Sequence, residues 1–194
     1  MITETLLRGD VDPEAPLLVV ATAEEAEHLQ TDLPILLTGI GRLRTAEALT
    51  ATLASGPAPE RIVNLGTAGA LVDGVNGVHR VTSVELHDFS HSDVKKLTGE
   101  TAYPTIPLHD APGLRLATGD IFVNDPVTRA RLAASAELVD MEGYAIAWIA
   151  TRRGIPVDLV KLVSDSAGDG AGKLWVSGVE ECSRILGQWL VESR

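Results

Sequence analysis

LVDMEGYAIAWIATRRGIPVDLVKLVSDSAG, residues 138–168, is the stretch whose reading decides the fold. It opens with a short apolar run that ends in Asp140. In the segment that follows, Met141, Ala145, Trp148 and Ile149 recur at helical spacing. Gly154 then caps, and Pro156 forbids continuation. Residues 157–163 are apolar apart from Asp158 and Lys161, which predicts a strand, and Ser164-Asp165-Ser166-Ala167-Gly168 is a turn-forming cluster. Strand, helix and strand make one βαβ unit. Its strands end at Glu142 and Asp165, the place where open α/β sheets keep their ligands.

Outward from this unit, apolar runs at 17–22, 35–40, 61–67, 78–86, 114–118 and 137–140 alternate with helical patterns, without a repeat or a linker. That alternation predicts α/β layers around a central sheet. Val75-Asn76-Gly77-Val78 offers a hairpin-type turn, so a wholly parallel sheet is not expected. The chain has 194 residues, which suits a single domain over 1–194 with a sizeable core. Hydrophobic residues make up 45% and charged residues 22%, and no apolar run approaches the ~18 residues that span a bilayer. A net charge of −11 argues against a nucleic-acid partner, because binding phosphates takes clustered Lys and Arg. The densest basic pairs are Lys95-Lys96 and Arg152-Arg153, and the second is expected to meet a helix C-terminus.

Met1 to Thr5 carry neither a basic n-region nor an apolar h-region, and Cys182 is the only cysteine. Together these point to a cytoplasmic address. VSGVEECSRILGQWLV around Cys182 reads as an amphipathic helix, which makes the thiol a helix-face residue and not a nucleophile. His87 and His91 stand four apart without a third ligand, so neither a metal nor a cofactor is expected. Gly39-Ile40-Gly41 lacks the third glycine of a dinucleotide fingerprint, and NLGTAGAL at 64–71 lacks a Walker pattern. Its Gly66 and Gly69 either admit a ligand to the backbone or mark a tight turn after a strand.

VDMEG at 139–143, followed by VSDSAG at 163–168, resembles the paired motifs of the nucleoside phosphorylase and nucleosidase superfamily. LLVVATAEEAEHL at 17–29, TGIGRLRTAEAL at 38–49, NLGTAGAL and TGDIFVND at 118–125 match that family's further segments in the same order, and 86–115 match least. The resemblance implies a single-domain, three-layer αβα fold around a mixed, partly barrel-like sheet. It also implies cleavage of the N-glycosidic bond of a nucleoside, a reaction that needs acids in separate roles. Asp165 would donate a proton to the five-membered ring of a purine, positioned by Ser164. Glu25 would activate water, with Glu24 as the alternative. Glu142 would accept the two ribose hydroxyls, Met141 would pack on the sugar, Thr67 would lie in the ribose loop, and Phe122 with the backbone of Val123 would face the base.

Four of these features also have an ordinary reading. Asp165 can cap a turn, Glu142 can stabilise a first helical turn, the Glu24-Glu25-Ala26-Glu27 cluster can be a solvated turn, and Phe122 can belong to the core. The choice between water and phosphate rests on cations near the glycine segment, because phosphate needs Arg or Lys donors. Bacterial phosphorylases of the superfamily place an Arg two residues before the first glycine, where this chain has Asn64. Arg42 and Arg44 keep phosphorolysis open.

The expected activity is therefore a purine nucleosidase like methylthioadenosine/S-adenosylhomocysteine nucleosidase, acting on a small-molecule nucleoside. One alternative is a futalosine hydrolase, in which Lys173 or Lys96 would pair with the substrate's carboxylate. Others are a purine nucleoside phosphorylase, a nucleoside-binding protein without catalysis, and a structural or partner-binding domain. The abbreviated loop through Lys95 to Tyr103, Asp140 in place of Glu, and the unmatched 171–175 leave the substrate open. The resemblance also implies a homodimer, with Trp189-Leu190-Val191 or the loop near Phe89 as contact.

Overall fold

The computed structural model describes residues 6–168 and 170–193, with the side chains of Leu174 and Val176 excepted. Met1 to Thr5, read above as carrying no leader, lie outside the described residues. In chain order the elements are β1 (Leu6–Arg8), β2 (Leu17–Val20), β3 (Ile35–Leu37), α1 (Arg42–Ser55), β4 (Ile62–Ala70), β5 (Val78–Leu86) and α2 (His91–Thr98). They continue with β6 (Ile106–Pro107), β7 (Leu114–Thr118), α3 (Pro126–Leu132), β8 (Leu138–Asp140), α4 (Gly143–Arg152), β9 (Val157–Asp165) and α5 (Ala171–Glu192).

LLVV and ILL have no polar position to turn toward water, and they form strands that are buried throughout. Strands covered on both faces read in this way. Leu17, Val19 and Leu36 point to a core shared with Ala48, Leu49 and Leu53 of α1 and Ile146, Ala147 and Ala150 of α4. Leu18, Val20, Ile35 and Leu37 alternate to the opposite face and meet Cys182, Leu186 and Leu190 of α5. The result is the expected three layers, with Cys182 in the helix face that packs on the sheet. A smaller cluster beneath α3 joins Leu71, Ala117, Val123 and Val139.

β4, β8, β7, β5 and β9 close on themselves, because β9 pairs with both β4 and β5. β4–β8 and β5–β9 are antiparallel, while β4–β9, β7–β8 and β5–β7 are parallel. An arm of β2, β3 and β1 extends from β4, and β6 adds to β5. The sheet is thus mixed and partly a barrel. Gly77 takes the expected positive φ of 81°, but the strands on either side of this turn do not pair with each other. Both lie against β9 instead, so the antiparallel direction arises from a strand far along the chain.

Two local expectations change. NLGTAGAL is neither a loop nor a tight turn, since residues 62–70 are strand β4. The stretch through Lys95 is helix α2, closed by Gly99 in the left-handed conformation (φ 78°). Trp189 packs on the α5 core with Arg80 over its ring, Phe89 stands edge-on to Tyr103, and Val191 is 62% exposed. Arg153 does meet a helix end, donating from Nη1 to the Leu53 carbonyl of α1 at 3.3 Å.

Candidate active site

A cavity of about 340 Å³ opens where β2, β4, β8 and β9 end. Glu25, Thr67, Phe122, Val123, Met141, Glu142, Ser164 and Asp165 all line it. Distant segments of the chain are thereby brought to one place.

Glu25 stands in the turn after β2 with 3% of its surface exposed, whereas Glu24 and Glu27 face solvent. The turn does not continue as a helix. Glu25 Oε1 accepts from the Thr67 amide at 2.9 Å and the Thr67 hydroxyl at 2.8 Å. Its Oε2 accepts from the Thr22 amide at 3.3 Å, and the Glu25 amide donates back to Thr22 Oγ1 at 3.2 Å. The carboxylate is anchored at both oxygens. Across the cavity wall, Trp175 of α5 donates its indole N–H to Thr67 Oγ1 at 2.9 Å.

Glu142 is the N-cap residue of α4, but its side chain makes no capping bond. It turns instead toward α1, where Oε1 accepts from the Gly41 amide at 2.8 Å. Beneath it lies Lys161, the polar exception in the β9 run, 1% exposed. Lys161 Nζ is 2.8 Å from Asp140 Oδ2, and Asp140 also accepts from Thr118 Oγ1 at 2.6 Å and from the Gly143 amide at 2.9 Å. Burial acts to lower the Lys161 pKa, yet the charges of Asp140, Glu142 and Glu25 together hold it above its ordinary value. One ammonium cannot compensate three carboxylates. Burial, reinforced by the Asp140 charge and opposed by Lys161 and the Gly41 amide, pushes Glu142 up to about 8. Its carboxyl is therefore harder to ionise than that of an ordinary glutamate.

Two glycines make this packing possible. A Cβ on Gly66 would stand 3.3 Å from Lys161 Nζ and 3.6 Å from Glu25 Oε1. A Cβ on Gly69 would meet the Ala167 Cβ at 2.9 Å and Asp165 Oδ1 at 3.1 Å. These glycines admit the protein's own side chains to the strand.

Asp165 ends β9 at a register shift opposite Gly69. Its Oδ1 accepts from the Ala167 amide at 2.8 Å, and its Oδ2 accepts from Ser164 Oγ at 2.8 Å. Ser164 Oγ also lies 3.4 Å from the Ala68 carbonyl. Its single proton can go to either acceptor, so the hydroxyl can donate to Asp165 or accept from it. Asp165 thus makes the turn bond to Ala167 and at the same time lines the cavity. Phe122 is 44% exposed at the cavity mouth, while Val123 is 4% exposed below it.

The structure also answers for the cations. Arg42 donates from Nη2 to Asp88 Oδ2 and Asp120 Oδ2, both at 2.9 Å, and its amide donates to Asp120 Oδ1 at 3.0 Å. Burial acts to raise the Asp120 pKa, but the Arg42 bonds prevail and hold it below the usual carboxylate range. Neither Arg42 nor Arg44 lines the cavity. Asn64 is buried and donates to the Val19 carbonyl at 2.9 Å, a tie between β4 and β2. Lys161 and Trp175 went unassigned in the sequence reading. A lysine inside an apolar strand is the signal that marks the first, and nothing local marks the second.

The model of the Phosphorylase superfamily matches residues 93–188. The 5′-methylthioadenosine/S-adenosylhomocysteine nucleosidase of Geobacillus sp. (strain WCH70) is 26% identical over 191 residues, covering 84% of this chain and 81% of that protein. Among solved structures, an MTAN mutant of Helicobacter pylori with 5′-methylthioadenosine in the active site superposes with a TM-score of 0.80 at 19% identity, covering 92% of this chain and 97% of that one. Native futalosine hydrolase of Helicobacter pylori strain 26695 superposes with a TM-score of 0.81 at 17% identity, covering 92% and 96%. The family match runs from α2 into α5, and the likeness in sequence and fold extends over most of the chain's length, so this chain belongs to the phosphorylase superfamily, the group of nucleoside phosphorylases and nucleosidases.

Proposed function

We propose that this chain is a purine nucleosidase that hydrolyses the N-glycosidic bond of an adenosine-type nucleoside, with methylthioadenosine and S-adenosylhomocysteine as the substrate class. The observation that carries this reading is the convergence of Glu25, Glu142 and Asp165 on one cavity from three chain-distant elements. In the reaction, the bond between the sugar's anomeric carbon and the base breaks, and its electron pair leaves with the base. Asp165, served by Ser164, protonates that base. Water attacks the anomeric carbon and gives its proton to Glu25. Glu142 holds the two ribose hydroxyls, and the positive charge developing on the sugar favours its ionised form. Met141 packs on the sugar, and Phe122 and Val123 take the base.

Water is favoured over phosphate because Arg42 is already held by two carboxylates and Lys161 by Asp140. A phosphate ion would have to displace one of these partners. Futalosine hydrolysis is the second reading, supported by the fold likeness to futalosine hydrolase. Lys96 pairs with Asp93 on α2, which leaves Lys173, exposed beside the cavity-lining Gly172, to meet that substrate's carboxylate. The proposed setting is cytoplasmic and the proposed assembly a homodimer. Among the described residues no helix is long and apolar enough to cross a membrane. Val191, 62% exposed in the segment expected to pair, and Leu43 and Leu97, 83% and 85% exposed, are apolar residues available for the dimer contact.

The test is incubation with methylthioadenosine, S-adenosylhomocysteine, adenosine, inosine and futalosine, with and without phosphate, followed by identification of the products. Free base and free sugar released at the same rate without phosphate are expected. Sugar 1-phosphate formed only with phosphate would overturn the reading in favour of a phosphorylase. Binding without release would overturn it in favour of a nucleoside-binding protein.

A further inference from the structure

We infer that Trp175 is a positioning residue for the general base, acting through the hydroxyl of Thr67; this rests on the reading of Glu25 given above. The indole N–H is a donor with no acceptor capacity, and a carboxylate only accepts. Thr67 Oγ1 lies between them, 2.9 Å from Trp175 Nε1 and 2.8 Å from Glu25 Oε1. A threonine hydroxyl has one proton and is free to rotate. With Trp175 donating to its oxygen, the geometry leaves one direction for that proton, toward Glu25. The order Trp175 to Thr67 to Glu25 is therefore fixed by donor chemistry.

That order acts together with two further contacts. Donation by the indole polarises the hydroxyl and strengthens its bond to the carboxylate. Oε1 of Glu25 receives two donors from one residue, the amide and the hydroxyl of Thr67, so the carboxylate plane is tied to β4. The same turn is fastened to α5 a second time, where the His28 amide donates to Ser183 Oγ at 2.8 Å. The orientation of the base is thus set by a helix that joins the chain about 150 residues later, through Trp175 and Ser183.

The variants W175F, which keeps a ring without the N–H, and T67V, which keeps the volume without the hydroxyl, separate this role from packing. With Thr67 intact, W175F is expected to lower kcat about tenfold and to leave KM within about twofold. Added to T67V it is expected to cost nothing further, because the relay is already broken. T67S, which retains the hydroxyl, is expected to restore most of the loss seen in T67V. Thermal melts of each variant report whether the fold is kept.

Three outcomes would overturn the inference alone, each with the unmodified chain active. They are equal losses from W175F with and without T67V, a loss confined to KM, and an unchanged kcat. An unmodified chain that hydrolyses none of the nucleosides would overturn the functional reading, and this inference with it.

Discussion

Asp165 is held by two donors, the Ala167 amide and the Ser164 hydroxyl, and an amide in its place keeps the acceptor oxygen while losing the transferable proton. D165N is therefore expected to fold normally and to lose about 10²- to 10⁴-fold in kcat, measured by base release. A binding protein without catalysis would keep most of its nucleoside affinity in the same variant. For Glu142 the sign follows from its raised pKa of about 8, against an ordinary 4.5. Between those values the folded chain holds a proton that the unfolded chain has released, so this group's contribution to stability falls as pH rises through the window. The loss is complete above about 8. E142Q removes the titration, so its urea midpoint is expected to exceed that of the unmodified protein by more at the alkaline end of the window than at the acid end. A constant difference would contradict the assignment. Glu142 and Asp165 were legible in the sequence because each follows an apolar strand directly. The raised pKa of Glu142 was not, because it depends on Asp140, Lys161 and burial acting together.

β9 carries Lys161 between apolar neighbours into the floor of the site, where one ammonium faces Asp140 at 2.8 Å with both side chains 1% exposed. K161M fills similar space but leaves Asp140 buried without its cation. Breaking such a pair from one side costs about 3–5 kcal/mol, a loss to be read from urea unfolding. A double variant K161M/D140N is expected to recover part of it, since the uncompensated charge is then gone. Strand β9 itself was legible from its apolar run, and α4 from its 3.6-residue period with Gly154 and Pro156 behind it. Helix α2 was not, because its eight residues include only two apolar ones, Val94 and Leu97, too few to establish a helical period, and none is buried. The glycines of β4 misled for a related reason. Gly66 and Gly69 read as turn residues, and only the side chains of Lys161 and Asp165 crossing toward that strand explain why it has glycine at these two positions.

Closure of β4, β8, β7, β5 and β9 into one ring removes two sheet edges and leaves β1 at the end of the arm, with all three of its residues exposed. Amide exchange is expected to be slowest in β4 and β9, which share a register from Ile62 opposite Val157 to Gly69 opposite Asp165, and fastest in β1. Equal protection in β1 and β4 would contradict this picture of a closed core with an appended arm. The mixed direction of the sheet was expected from Asn76-Gly77, yet it comes from β9 lying between β4 and β5 and not from a hairpin.

By itself the sequence determined the α/β class, most of the strands, the two acidic strand exits and the order of motifs that resembles a known superfamily. These are local properties, written in periodicity, capping residues and short spacings. Only the tertiary structure decided which of Glu24 and Glu25 faces the cavity, that Arg42 is occupied by Asp88 and Asp120, that Lys161 is a buried counter-ion, and that Trp175 reaches Thr67. Each of these is a contact between residues far apart in the chain. Its energy depends on burial and on the charges gathered around it, and neither exists until the barrel has closed and α5 has packed across it.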